Sequence, residues 1–379
     1  MDKKILLVIA FGFSFVWAQN WNVTSLSPLP EPCTNNAVCE GFLDDSSYVF
    51  SFGGLDQTKR YTGIHQRAYR YNIQTDQWRS IPDLPDTLGK IASGASHWKG
   101  IVYIMGGYHV FANGSERSSN RVHRYEIATN SYLPDGAPIP VTIDDHVQAT
   151  WRDSLIYVIT GWSENRNVPN VQIYNPTFDS WLTGTAVPDN NQYKSFGASG
   201  SIIGDTIYYF GGASLGGNFP IQNFFRKGVI DPNNPANIQW SVRVIDPAVT
   251  GYRMAATTAG GALHWIGGSR TTYNYDGIAY NGSGGVPPSR QAYMLAPNDT
   301  ASWQIESNLA VPMDLRGIAS ESDSVKYVVG GMIDNQVVTD GLVRLVWRGP
   351  SLNNELFLFK KRFSIAYSPL LHALKIDVQ

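Results

Sequence analysis

Six polar residues stand directly ahead of short runs of small residues and are the first candidates for chemistry. They are Asn36 before Ala37-Val38, Lys90 before Ile91-Ala92-Ser93, His146 before Val147-Gln148-Ala149, Lys194 before Ser195-Phe196-Gly197-Ala198, Arg253 before Met254-Ala255-Ala256, and Arg316 before Gly317-Ile318-Ala319. If the runs are equivalent strands around one axis, these side chains share one position and form a ring at the mouth of a central channel. Four of them are permanent cations, so the ring would focus an anion such as a carboxylate, sulfate or phosphate, with arginine suited to bidentate contact. Asp144 and Asp145 beside His146, and Asp314 near Arg316, are either internal counter-charges or partners in proton transfer. In the second case His146, Asp144 or Asp145 is the catalytic candidate, moving a proton on a sugar held by Arg253 and Arg316.

Six glycine-ended runs carry these positions. Tyr48 to Gly54, Ile101 to Gly107, Thr206 to Gly212, Leu263 to Gly268 and Val325 to Gly331 each end an apolar, β-type run in Gly-Gly; Leu155 to Gly161 is a degenerate copy with Thr160 in the first place. The second glycines fall at 54, 107, 161, 212, 268 and 331, a period near 50 residues that is the mark of a propeller blade. Downstream, Tyr71 with Trp78, Tyr125 with Tyr132, Tyr174 with Trp181 and, more loosely, Tyr293 with Trp303 recur as aromatic pairs that would pack between sheets. The fourth copy lacks a clear Tyr between Phe224 and Trp240.

On these residues the chain resembles the kelch-repeat family over about residues 21 to 349. The resemblance implies an all-β fold: a six-bladed propeller of four-stranded antiparallel blades. In such a blade the innermost strand begins at the same end as the loops after the doublets. That face would gather Tyr61, His65, Tyr108, His109, Trp162, Tyr273 and Tyr275, aromatic rings that suit sugar faces, and the loop from Ser269 to Ser289 is long enough to fold over the channel. Of these, Tyr108, Trp162 and Tyr273 join the six axial residues as the expected ligand contacts. The chain is also similar in length and layout to the periplasmic N-acetylneuraminate epimerase family, a likeness of architecture that carries over no catalytic residue.

The ends are read differently. Asp2-Lys3-Lys4, an apolar run from Ile5 to Trp17 and compact residues up to Ala18 predict a signal peptide over 1–18, since thirteen apolar residues fall short of a bilayer's thickness. Trp21-Asn22-Val23 and Leu26-Ser27-Pro28 read as an outermost strand and exit loop. The last repeat lacks that strand, so the N-terminal segment is expected to complete the sixth blade and close the ring. A propeller over 19–349 would then be followed by a tail, 350–379. In it, Phe363 to Pro369 and Leu374 to Val378 weakly resemble the opening strands of the sorting domain of the Bacteroidetes type IX secretion pathway.

Lys plus Arg number 29 against 31 Asp plus Glu, which leaves no basic surface to capture nucleic acid or anionic lipid. Cys33 and Cys39 allow either a small disulfide loop or two separate thiols, and with no His nearby in sequence they lack the ligand set of a structural zinc. No nucleophile elbow, HExxH or phosphate loop occurs, so neither metal nor cofactor is expected. The expectation is a secreted, monomeric binding propeller, periplasmic or extracellular, for an anionic small molecule, glycan or protein. The alternative is an epimerase or mutarotase of an acidic sugar.

Overall fold

The computed structural model describes residues 20–297 and 302–349, and the backbone of two further strands, Phe363–Ser368 and Ala373–Val378, which pair antiparallel with each other. The expected signal peptide, and the tail except for that strand pair, lie outside the described residues. No helix among the described residues is long and apolar enough to cross a membrane.

Six antiparallel sheets, each four strands deep, follow one another along the chain, the second carrying the extra short strand Glu116–Ser118 on Ile101–Val110. The first is Ala37–Leu43, Ser46–Leu55, Ile64–Asn72 and Gln77–Ile81, from axis to rim. The next four repeat this order, with inner strands Ile91–Trp98, Val147–Trp151, Ser199–Ile203 and Ala255–Ala259. The sixth runs inward-out as Ala319–Ser320, Val325–Val329, Leu342–Trp347 and then Trp21–Leu26, taken from the N-terminus and registered from Trp21 against Trp347 to Leu26 against Leu342. First and last repeats therefore share a sheet. That closure gives Leu342–Trp347 its outer partner and ties the N-terminal segment to the last repeat.

Residue type follows position. The second strand of each blade is largely apolar, as in Leu155–Ile159 and in Leu263, Trp265 and Ile266, all 6% exposed or less, with single polar residues such as His264 and Lys326 buried among them. Toward the rim the aromatic pairs are cross-strand neighbours: Tyr71 faces Trp78, Tyr125 faces Tyr132 and Tyr174 faces Trp181. The tyrosine hydroxyls donate into their own hairpin turns, to Asp76 at 2.6 Å, Asn130 at 2.7 Å and Asp179 at 2.6 Å. The indoles hook the preceding blade, with Trp78 Nε1 donating to the Ser27 carbonyl at 2.9 Å and Trp181 Nε1 to that of Ala137 at 2.8 Å. In the fourth blade Gly228 takes the tyrosine position opposite Trp240, whose ring lies where a Cβ on that glycine would be.

The glycine doublets latch one blade to the next. The second glycine donates its N–H to a carbonyl in the following blade's lead-in: Gly54 to Lys90 at 2.9 Å, Gly107 to Ile143 at 2.9 Å, Gly212 to Gly251 at 2.8 Å, Gly268 to Pro312 at 3.2 Å and, across the closure, Gly331 to Cys33 at 2.8 Å. At the closure the first glycine, Gly330, has φ +65° and a Cβ there would collide with the Cys33 carbonyl, so no other residue fits without movement. In the degenerate copy the Thr160 hydroxyl takes over, accepting from Ser195 N at 3.1 Å in the next blade's lead-in while donating to Val168 O at 2.9 Å. Both cysteines are buried free thiols, so the disulfide alternative is not realised.

Candidate functional site

Six residues, one per blade, sit in the left-handed region where the chain turns into each inner strand: Asn35 (φ 56°), Ala92 (58°), Asp145 (46°), Gly197 (64°), Arg253 (50°) and Asp314 (66°). Their backbones are joined around the axis. Ala92 N donates to Asn35 O at 3.2 Å, Asp145 N to Ala92 O at 3.2 Å, Gly197 N to Asp145 O at 2.9 Å and Arg253 N to Gly197 O at 2.8 Å. Asn35 N donates to Asp314 O at 3.3 Å, and Leu315 N, one residue on, completes the circle to Arg253 O at 3.0 Å. Asn, Asp and Gly are the types that tolerate this conformation, and four of the six positions hold one. Ala92 and Arg253 hold it against their own preference, which the surrounding bonds must overcome.

This circle corrects the expected cationic ring. Counted from the left-handed residue, Asn36 and His146 lie one position after it, Arg316 two after, Lys90 two before, Lys194 three before, and only Arg253 on it. The six are not equivalent and do not converge. Asn36 Nδ2 donates to Ser51 Oγ at 2.8 Å inside its own blade. Lys90 is buried in a seam, with Nζ 2.6 Å from Asp86 Oδ2 and 3.0 Å from His123 Nε2. Lys194 pairs with the exposed Asp189 at 2.6 Å.

The two arginines are neutralised. Arg253, 1% exposed, grips Asp145 with Nη2 at 2.7 Å and Nε at 3.2 Å, while its Nη1 reaches Asp314 at 3.0 Å. Arg316 Nη1 lies 3.0 Å from Asp145 Oδ1, and its Nη2 donates to His146 O at 3.1 Å. Thr34 Oγ1 donates to Asp314 at 2.7 Å, the Tyr273 hydroxyl to the same carboxylate at 3.4 Å, and the Arg253 guanidinium lies over the rings of Tyr252 and Tyr273. Burial opposes the charge on Asp145, but Arg253 and Arg316 outweigh it and hold that carboxyl below its usual range. The result is a charge-balanced plug across the axis in place of an anion trap.

The plug divides the axis into two cavities. On the turn side, one of about 280 Å³ is lined by all six inner strands, with Glu40, Ser96, Gln148, Ser201, Thr257 and Ser320 supplying one polar group each. His146 lies on this side. Its Nε2 bonds Gln148 Oε1 at 3.0 Å, and burial, reinforced by Arg316, lowers it to about 4, so it is a neutral imidazole at pH 7. On the loop side, a pocket of about 220 Å³ is lined by Tyr108, Glu116, Asp144, Asp145, Trp162, Phe196, Phe219, Arg253, Asn274 and Tyr280. The expected catalytic group is thus split: Asp144 and Asp145 face the loop side, and His146 belongs to the other cavity.

The sequence places this second lining through one rule. The residue before each left-handed position bridges to the residue after each doublet, as in Ile91 with Tyr108, Asp144 with Trp162, Phe196 with Ala213 and Tyr252 with Ser269. Tyr108 and Trp162, both expected contacts, reach the pocket by that route, while Tyr273 lies beneath it against Asp314. Of the other expected aromatics, Tyr61 is exposed, His65 is buried against Cys33 and Glu31, His109 Nδ1 bonds Gly89 O at 2.8 Å, and Tyr275 packs beside Tyr108. The loop from Ser269 to Ser289 does fold over the axis, bringing Tyr280 edge-on to Phe219 with centroids 4.7 Å apart. Glu116, Phe196, Phe219, Asn274 and Tyr280 escaped the sequence reading; for Phe196 the signal is its place beside a left-handed glycine, and the loop residues carry none.

Asp144 is the unusual group of the pocket. It accepts from Ser118 Oγ at 2.5 Å, and burial, with Asp145 adding to it, pushes its carboxyl well above the usual range. Partial withdrawal from water also raises Glu116 at the rim, Arg253 opposing and Asp145 reinforcing. Trp162 turns its indole N–H to Glu164 O at 3.1 Å and stands edge-to-face with Phe196 and Phe219, so an aromatic surface adjoins the carboxyls.

No family model matches the chain. It is 24% identical over 198 residues to the Kelch-like protein terF of Aspergillus terreus, covering 47% of this chain and 41% of that protein. It is 23% identical over 246 residues to the human Kelch repeat and BTB domain-containing protein 12, covering 61% of this chain and 38% of that protein. The chain therefore spans well under half the length of these relatives. Among solved structures it resembles that of YjhT with a TM-score of 0.66 and 16% identity, over 83% of this chain and 95% of that one.

Proposed function

We propose that this six-bladed propeller of kelch-type repeats is a binding module that holds one sugar unit in the loop-side pocket. The fold is that of a binding module or scaffold. The observation that carries the finer reading is the pocket itself: it brings the aromatic rings of Trp162, Phe196, Phe219 and Tyr280 together with the polar groups of Asp144, Asp145 and Asn274. A sugar ring offers an apolar face for the rings and hydroxyls for the polar groups. At about 220 Å³ the space lies below the roughly 300–1,000 Å³ of sites for drug-sized ligands, which suits a single terminal ring. Because the arginines are already paired, hydroxyls and not an anionic group would supply the contacts. We place the protein outside the cytoplasm, on the leader-like residues 1–18.

Screening neutral mono- and disaccharides by calorimetry is the test. A bound sugar should lose roughly two- to tenfold in affinity on Trp162→Ala, the worth of one aromatic face. Affinity unmoved by that change, or no saccharide bound at all, would refute the reading.

A sugar epimerase or mutarotase is a second reading, favoured by one observation: Asp144, whose carboxyl is pushed up, adjoins Asp145, whose carboxyl is held down. Against it, Asp145 is committed to two arginines and is a poor base. Interconversion of anomers or epimers detected by NMR and abolished by Asp144→Asn would establish that reading over simple binding.

A further inference from the structure

The loop-side pocket has an imbalance that a neutral sugar would leave uncorrected. Each arginine near it is spent below, Arg253 on Asp145 and Asp314 and Arg316 on Asp145. Asp144, 3% exposed, and Glu116 at the rim also line the pocket, and among the described residues no Lys, Arg or His forms an ion pair with either. Two carboxyls thus face the cavity without an ion-pair partner of their own, the Arg253 that also lines it being bonded to Asp145 and Asp314.

Two further features point into the same space. Tyr108 is only 4% exposed and lines the pocket, yet its hydroxyl has no hydrogen-bond partner among the described residues. Trp162, bridged to Asp144, has turned its N–H to Glu164 O and packs its ring against Phe219, which in turn meets Tyr280. Aromatic rings beside carboxyls that have no ion-pair partner are an arrangement that can hold an ammonium group, through charge-assisted bonds and cation–π attraction together.

Resting on the saccharide reading above, we propose that the pocket selects a sugar bearing a protonated amine, with Asp144 and Glu116 receiving the ammonium, Tyr108 a neighbouring hydroxyl and Trp162 the ring face. An acidic sugar would place its carboxylate against the two carboxyls and is the disfavoured ligand. Burial, with Asp145 adding to it, disfavours the ionised form of Asp144 in the empty pocket. The ligand supplies the missing counter-charge.

The test compares three disaccharides by calorimetry near pH 7.5: the glucosamine dimer, its di-N-acetylated form and cellobiose. The free-amine dimer should bind roughly ten- to a hundredfold more tightly than the other two, the worth of a charge-assisted bond. Asp144→Asn with Glu116→Gln should erase that preference, bringing the three disaccharides within about twofold of one another in the variant. Glu116→Gln alone, at the exposed rim, should remove part of the preference without touching the core. Equal binding of all three, tighter binding of the acetylated form, or a preference that survives the double change would overturn the proposal while leaving the saccharide reading standing. If none of the three binds and the wider neutral panel also fails, both fall together.

Discussion

The two ends of the axis are built from the same six strands yet hold opposite kinds of polarity. Toward the loops, charges are concentrated and dry: Arg253, Asp145 and Asp314 are each 2% exposed or less and bonded to one another. Toward the turns, the lining is mostly hydroxyl and amide, joined by single bonds such as Gln148 Nε2 to Ser96 Oγ at 2.8 Å and a long Thr257 to Ser320 contact at 3.4 Å. The contrast shows why position along one strand decides role. Where the strands begin, left-handed turns bring backbones into a circle and leave side chains no water, so any charge there must find a partner. A few residues later the axis widens into a cavity and polar groups lose little by standing alone.

The largest expected effect comes from opening the dry end. Arg253→Met keeps much of the side-chain volume but strands Asp145 and Asp314, two buried carboxyls that share one guanidinium. Breaking a buried pair on one side costs about 3–5 kcal/mol, so urea unfolding at pH 7 should show a loss of that size. A loss under about 1 kcal/mol would mean that water reaches the plug and that the contrast between the two ends is wrong.

Within the dry end, Asp144 and Asp145 should respond to pH with opposite signs. Asp145 is held below its usual range, so its contribution to stability is present above the unfolded-state value of about 3.9 and is lost as pH falls through the folded value. Asp144 is pushed up, so its contribution is full below about 3.9 and is lost as pH rises toward its folded value. Asp144→Asn should therefore stabilise the protein at pH 7 to 8, on the order of 1 kcal/mol, with the gain fading toward pH 4. Asp145→Asn should destabilise at neutral pH. Stability curves for the two variants that run parallel between pH 4 and 8 would contradict this assignment.

How far the sequence revealed this architecture depends on what repeats. The blade count, the strand order and the closure by Trp21–Leu26 were readable because Gly-Gly recurs six times, Thr160 included, and because a seam needs a partner strand. The axial register was not, because runs such as Ile91-Ala92-Ser93 and Met254-Ala255-Ala256 look alike when slid by one or two residues. What fixes the register is a backbone conformation, and Asn35, Asp145, Gly197 and Asp314 do mark it, being the types that accept positive φ. Ala92 and Arg253 break that pattern and hide it. The pocket was half legible: Tyr108 and Trp162 follow a doublet, whereas Phe219 and Tyr280 come from loops with no period.

The smallest effects belong to the wide end, and they are the sharper test because they must be nearly absent. Ser201→Ala and Thr257→Val remove hydroxyls that line the turn-side cavity, and Thr257 gives up only its long contact with Ser320. Their neighbours face open space where water can replace a lost partner, so neither change should move the unfolding free energy by more than about 0.5 kcal/mol. Saccharide affinity at the loop side should stay within about twofold, since the plug of Arg253, Asp145 and Asp314 stands between the cavities. A loss of 2 kcal/mol from either substitution would show a cooperative polar network at the turn end. A tenfold loss of sugar binding would show instead that the ligand sits below the plug, and the division of the axis would have to be redrawn around His146 and Gln148.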